Sequence, residues 1–107
     1  MNSNDFREFL LNDYVNLRTG RGLSVRAVND TISRCNRIEQ TFQIDLDHYC
    51  AGDQRLFDKL ITFIYDRADA LRGASKQLDF KYNYVACVRK YFNFSRTKIQ
   101  APRMGHA

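Results

Sequence analysis

Few side chains in this sequence are suited to acid–base or nucleophilic chemistry. The two histidines are His48 and His106, and His106 lies beside Gly105 close to the last residue. Cys50 follows His48 by two residues, but a nucleophilic Cys–His pair also needs oxyanion donors, and no such signature accompanies this short connector. We therefore expect no catalytic residues, and we do not expect the chain to be an enzyme.

Metal and nucleotide sites have equally little support in the sequence. Asp45 and Asp47 could hold a cation, but acids that precede a helix more often cap it or stay hydrated. The segment from Gly20 to Gly22 is too short for either glycine-rich phosphate loop and does not follow a strand. We therefore expect neither a metal nor a cofactor.

The cysteines and the apolar runs indicate where the protein works. Cys35, Cys50 and Cys87 are odd in number and far apart, which fits neither a disulfide framework nor a Cys-x-x-Cys zinc site. The first dozen residues lack the basic start and apolar stretch of a secretory signal. The best apolar run, from Leu60 to Tyr65, is far shorter than a membrane span. We expect a soluble cytoplasmic protein with reduced thiols and no membrane partner.

Side chains suited to binding duplex DNA are better represented. Arginine can hold a guanine edge or a phosphate with two hydrogen bonds, and asparagine can do the same for adenine. Four such residues lie off the apolar stripe of one amphipathic segment: Arg26, Asn29, Arg34 and Arg37. Asp30 and Glu39 belong to the same segment and would repel phosphate if they faced it.

A second group of cations lies in the last third of the chain. Residues 1–71 hold 9 basic and 11 acidic side chains, whereas residues 72–107 hold 8 basic side chains and one acid, Asp79. A concentrated positive field attracts polyanions regardless of their sequence. The candidate phosphate contacts here are Lys81, Arg89, Lys90 and Arg96. Neighbouring aromatic residues could stack on bases of a single strand, but their helical spacing places most of them in the core.

Helices must position these side chains, because nothing before Pro102 forbids helix and no strict alternation argues for a sheet. Glycines divide the chain into four stretches with apolar residues three and four apart. The predicted helices run from Phe6 to Leu17, from Val25 to Phe42, from after Asp53 to Leu71, and from between Ser75 and Asp79 to about Phe94.

Capping residues and one connector complete this prediction. Asn4 or Asp5 can cap the first helix, Ser24 the second and Asp53 the third. A short helical turn is expected within residues 43–50. We predict one all-α domain over residues 1–94, an orthogonal bundle of four to five helices, followed by a basic flexible tail or linker over residues 95–107.

Two segments resemble a known family. Gly22-Leu23-Ser24 opens an amphipathic helix, and Val85-Ala86-Cys87-Val88-Arg89-Lys90-Tyr91-Phe92-Asn93-Phe94 ends the bundle. Both are similar to the N-terminal core-binding domain of tyrosine recombinases and phage integrases, and the resemblance extends over residues 6–94. The motifs are short and mainly structural. The family often has Thr and Tyr where this chain has Ala27 and Thr31.

The resemblance implies a SAM-like helical bundle that clamps one side of duplex DNA during recombination, with its second and fourth helices facing the grooves. A recombinase also needs a C-terminal catalytic domain, which 107 residues cannot include. The chain is then either a fragment or a free-standing relative. The predicted function is non-catalytic duplex DNA binding. The alternative is a stand-alone protein-interaction module, homodimeric or bound to an acidic partner through its basic C-terminal face.

Overall fold

The computed structural model describes residues 1–14, 20–51, 53–70 and 72–100, with side chains through residue 97. Across these ranges all regular secondary structure is helical and there is no β-strand, which confirms the all-α prediction. The α-helices are α1 (Ser3–Asn12), α2 (Val25–Phe42), α3 (Leu46–Cys50), α4 (Gln54–Asp69), α5 (Ala74–Asp79) and α6 (Val85–Gln100). A π-helical segment, Phe80–Tyr84, connects α5 to α6.

Helix α2 has the bounds that its sequence predicts. The Ser24 hydroxyl accepts a hydrogen bond from the Ala27 amide at 3.1 Å, which satisfies a donor in the first turn. Gln43 ends the helix in the left-handed conformation, with φ at 54°. The apolar stripe of α2 is buried, as the spacing requires, at Val28, Ile32, Cys35 and Ile38.

Helix α1 begins earlier and ends earlier than predicted. The Asn2 side chain, rather than Asn4 or Asp5, is the N-cap, and it accepts from the Asp5 amide at 3.2 Å. The helix ends at Asn12, and the Tyr14 amide donates back to the Phe9 carbonyl at 2.9 Å. The predicted extension through Tyr14 is therefore wrong, and Leu17 lies outside the described residues.

Helix α4 follows its predicted cap, and the short helix α3 precedes it. The Asp53 side chain accepts from the Arg55 amide at 2.9 Å, and α4 then buries Phe57, Leu60 and Ile64. The short turn predicted between α2 and α4 is α3. Its N-cap is Asp45, whose carboxylate accepts from the Asp47 amide at 2.9 Å.

The C-terminal third is one continuous helical rod made of α5, the π-helical segment and α6. Its backbone keeps right-handed helical angles through both junctions, at Phe80 and at Val85. The rod continues to Gln100, past the predicted end near Phe94, because no helix breaker precedes Pro102. Residues 101–107 of the predicted tail lie outside the described residues.

Aromatic side chains on α6 form the centre of the core. Phe92 stacks on Phe57 of α4 with ring centroids 4.0 Å apart, and Tyr91 meets Phe6 of α1 edge to face at 4.8 Å. Such pairs add to the stabilisation that burial of their area provides. Helix α6 is therefore fixed against α1 and α4 through its inner face, which leaves its outer face to solvent.

A polar cluster joins the N-terminal ends of α1 and α3 to the core. The Glu39 carboxylate accepts from the Leu46 amide at 2.9 Å and from the Met1 amine at 3.3 Å. The Tyr91 hydroxyl accepts from the Asn2 amide at 3.0 Å and donates to Asp47. Glu39 thus faces inward rather than toward a phosphate partner.

Candidate nucleic-acid interface

The outer face of α6 carries three of the predicted DNA contacts. Its inner face is the set of buried residues Val85, Cys87, Val88, Tyr91, Phe92 and Phe94. At 100° per residue the opposite side of the helix presents Arg89, Lys90, Asn93 and Arg96, which we call the α6 strip. No acidic residue occurs anywhere in α6. The side chains that the spacing predicted to lie off the apolar stripe do so.

Each cation of the α6 strip lies over an aromatic ring. The Arg96 guanidinium is 5.3 Å from the centroid of Phe92, and the Arg89 guanidinium is 5.9 Å from that of Phe57. The Lys90 ammonium is 5.6 Å from the centroid of Tyr14, on the opposite edge of the helix. A cation–π contact restrains the side chain but leaves its positive charge uncompensated. The three cations of the strip are therefore restrained in position by aromatic rings and keep their positive charge.

Arg96 has one further contact, with the N-terminal end of α4. Its guanidinium donates to the Gln54 amide oxygen at 3.3 Å, and the Gln54 amide nitrogen donates to the Asp58 carboxylate at 2.9 Å. The Gln54 amide therefore lies between the Arg96 guanidinium and the Asp58 carboxylate and bonds to both. No strip cation forms an ion pair with a carboxylate in the part of the chain whose side chains are described.

Lys81 has a different environment from the strip. Its ammonium lies 2.5 Å from the Asp69 carboxylate of α4. This hydrogen bond raises the pKa of Lys81 above its ordinary value. Lys81 shares a surface cavity with Tyr65 and Tyr82, on the side of the π-helical segment that packs on α4. Its charge is already compensated, and the sequence offered no signal for this pair.

Arg34 and Arg37 line a groove between α2 and the π-helical segment. The Arg37 guanidinium donates to the Tyr84 hydroxyl at 3.2 Å. Asp30 and Asp79 line the same cavity, whose volume is about 280 Å³. The sequence left open whether Asp30 would face this surface, and it does. The two acids lower the positive potential here relative to the α6 strip.

The remaining α2 residues lie nearer its N-terminal end. Arg26 and Asn29 are both exposed. The Asn29 amide oxygen accepts from the Arg7 guanidinium of α1, which places Asn29 on the side of α2 that faces α1. Sequence reasoning missed Arg7, because a contact between residues 22 positions apart gives no local signal.

A cysteine thiol shows that the α6 strip and the α2 groove adjoin. Burial raises the pKa of Cys87, while the positive charges of Lys90 and Arg34 act in the opposite direction. Cys87 lies at the seam between α2 and α6, where cations of both helices influence its thiol. The Cys35 thiol of α2 donates to the Cys87 carbonyl at 3.5 Å across that seam. The groove that Arg34 lines therefore lies on the helix that packs directly against α6.

The two residues considered for catalysis, Cys50 and His48, lie in different environments, one buried and the other exposed. Burial is the main cause that raises the pKa of Cys50 to about 12, so this thiol is protonated at neutral pH, and His48 is exposed. His106 lies outside the described residues. Within the described ranges no group of three or more histidine, cysteine or acidic side chains is arranged to hold a metal ion. In the same ranges no helix combines the length and apolarity needed to cross a membrane.

Comparisons with protein-family models, curated proteins and solved structures give no match for this chain.

Proposed function

We propose that this chain is a non-catalytic DNA-binding domain that holds the phosphate backbone of duplex DNA against the α6 strip. The observation that carries the proposal is the state of Arg89, Lys90 and Arg96. Each is held over an aromatic ring, and none is paired with a carboxylate among the described side chains. Phosphate neutralisation by such cations releases condensed counterions, which drives sequence-independent binding.

The α2 residues extend this surface in the proposal. Helix α2 packs against α6 where the Cys35 thiol donates to the Cys87 carbonyl, so a duplex that lies along the strip would reach Arg34 of α2 as well. Asn93, between the cations of α6, is a neutral donor that can position a phosphate without reading sequence. A SAM-like bundle of the recombinase core-binding type would work in the cytoplasm beside a separate catalytic domain. It would use its second and fourth helices in this way, and the corresponding helices of this chain are α2 and α6.

A salt-dependent titration tests the proposal. The full chain is titrated into a labelled random duplex of about 20 base pairs at several salt concentrations between roughly 50 and 200 mM. The variant Arg89→Ala/Arg96→Ala removes two strip cations and should lower the slope of log K against log salt by about 1.8. The matched control is Lys81→Ala, which removes a cation that Asp69 already compensates.

The outcomes separate the candidate functions. Duplex binding that weakens with salt, falls in the double variant and changes little in the control supports the proposal. Equal slopes for the double variant and the control would remove the α6 strip from the interface. Equally tight binding to an acidic polymer such as polyglutamate, or to that polymer alone, would favour the alternative of a protein-interaction module with an acidic partner.

A further inference from the structure

A second surface of the chain exposes large apolar side chains. Tyr82 is 68% exposed, Leu78 is 51% exposed and Tyr65 is 38% exposed. Leu78 lies about one helical turn before Tyr82, and Tyr82 lines a cavity of about 290 Å³ with Tyr65 and the pair Lys81–Asp69. We call these five residues the tyrosine surface. Rings of this size gain most from contact with another protein surface.

We propose that the tyrosine surface binds the same surface of a second copy of this chain and forms a symmetric dimer. The charges of the surface favour this occupant, because one cation and one carboxylate can pair with their counterparts in a second copy. The chain has a net charge of +5, but this surface holds one cation and one carboxylate, so neither a polyanion nor an acidic peptide gains net attraction there.

A two-fold axis makes the surface complementary to itself. In such an arrangement each residue of one copy meets its counterpart in reverse order. Lys81 of one copy then faces Asp69 of the other, and the tyrosines of the two copies meet around these charges. Tyrosine is favoured at the centre of interfaces because it offers a large ring and a polar tip with little rotamer entropy to lose.

The size of the surface sets the expected affinity. Two tyrosines and one leucine per copy make an interface at the small end of specific complexes. We expect a dissociation constant on the order of 10 to 100 µM, which corresponds to a weak, reversible dimer. This dimer forms without DNA and uses a surface separate from the α6 strip.

Sedimentation equilibrium of the full chain tests the dimer, with loading concentrations from about 5 to 500 µM so that the range brackets the expected constant. The average mass should rise toward twice the monomer mass. Tyr82→Ser should weaken association at least about thirtyfold if Tyr82 is an interface anchor. The control is Val25→Ser, because Val25 is 63% exposed but lies at the start of α2. A wild-type chain that stays monomeric, or a Tyr82→Ser variant that associates normally, overturns the proposal.

Charge reversal separates an interface role from a structural one. Lys81→Asp leaves two carboxylates on the surface and Asp69→Lys leaves two cations, so each variant should repel itself. An equimolar mixture of the two should form a heterodimer. Loss of association in both variants without recovery on mixing contradicts the two-fold arrangement, and circular dichroism of each variant checks its fold. Because no DNA is present, the result is independent of the DNA-binding proposal.

Discussion

The hydroxyl of Tyr91 provides a test of how the bundle is held together. Its side chain is 1% exposed, and its oxygen accepts from the Asn2 amide at 3.0 Å while donating to Asp47. Tyr91→Phe removes this oxygen and keeps the ring, including its edge-to-face contact with Phe6 at 4.8 Å. The substitution therefore isolates two hydrogen bonds that join α1 and α3 to α6.

The expected cost follows from the partners of the hydroxyl. A neutral hydrogen bond contributes about 0.5 to 1.5 kcal/mol net, and one to a charged group about 1.5 to 3 kcal/mol. Asp47 and Asn2 are both exposed, so water can replace part of each lost bond. We therefore expect Tyr91→Phe to lower the free energy of unfolding by about 2 kcal/mol, the low end of the combined range.

Urea unfolding followed by circular dichroism measures this cost. The midpoint should fall by about 1 M at an unchanged slope, since the surface exposed on unfolding stays the same. The control is Tyr82→Phe, which removes the hydroxyl of a largely exposed ring and should change stability by less than about 0.5 kcal/mol. A loss below about 0.5 kcal/mol for Tyr91→Phe would mean that these hydrogen bonds do not stabilise the fold.

The same variant should change the response to alkaline pH. Burial, followed by the hydrogen bond to Asp47, raises the pKa of Tyr91 above the value of about 10 expected in the unfolded chain. The protonated phenol is thus favoured by folding, and its contribution is fully present below pH 10. It is lost as the pH rises through the folded-state pKa. Above about pH 10 the difference in stability between wild type and Tyr91→Phe should therefore shrink.

Three further predictions concern single sites. Gln43→Gly should raise the free energy of unfolding by about 0.5 kcal/mol, because Gln43 has φ at 54° and glycine adopts this conformation without a Cβ clash; an unchanged or lower urea midpoint would contradict this. Ser24→Ala should cost about 1 kcal/mol and Ser24→Asp should cost little, since only the first removes the cap acceptor; equal midpoints would show that the cap contributes nothing. Burial raises the pKa of Cys35, Cys50 and Cys87, so these thiols should react with a disulfide reagent at pH 8 only as fast as the protein opens. Rapid labelling of the native chain would refute their placement in the core.

The helices with local end signals could be predicted from the sequence. Helix α2 has Ser24 as its cap and a regular apolar stripe, and α4 has Asp53, so both begin where the sequence indicates. The π-helical segment could not be predicted, because Phe80 and Tyr84 keep a spacing that an α-helix also buries. The predicted end of α1 was wrong, because Tyr14 fits the apolar stripe of the helix but packs on the core after the helix has ended.

The candidate interface could be predicted only in part. Spacing identifies which cations of α6 lie off the apolar stripe, since this depends on helix geometry alone. Spacing does not identify their partners. The pairing of Lys81 with Asp69 depends on how α4 packs against the π-helical segment, and the acids beside Arg37 come from two separate elements. These tertiary contacts decide which charges remain available to a ligand.

The π-helical segment determines how the outer faces of α5 and α6 are oriented relative to each other. A π-helical turn holds about one residue more than an α-helical turn, and one residue corresponds to a rotation of about 100° around the axis. Because the π-helical turn already accommodates this extra residue, deleting one residue from Phe80–Tyr84 would restore an α-helical turn and leave the angle between Leu78 and Arg89 nearly unchanged. The same deletion with the π-helical turn kept would turn the two faces by about 100° relative to each other. The relative orientation of an apolar surface and a basic surface on one rod therefore tolerates the loss of one residue at this segment.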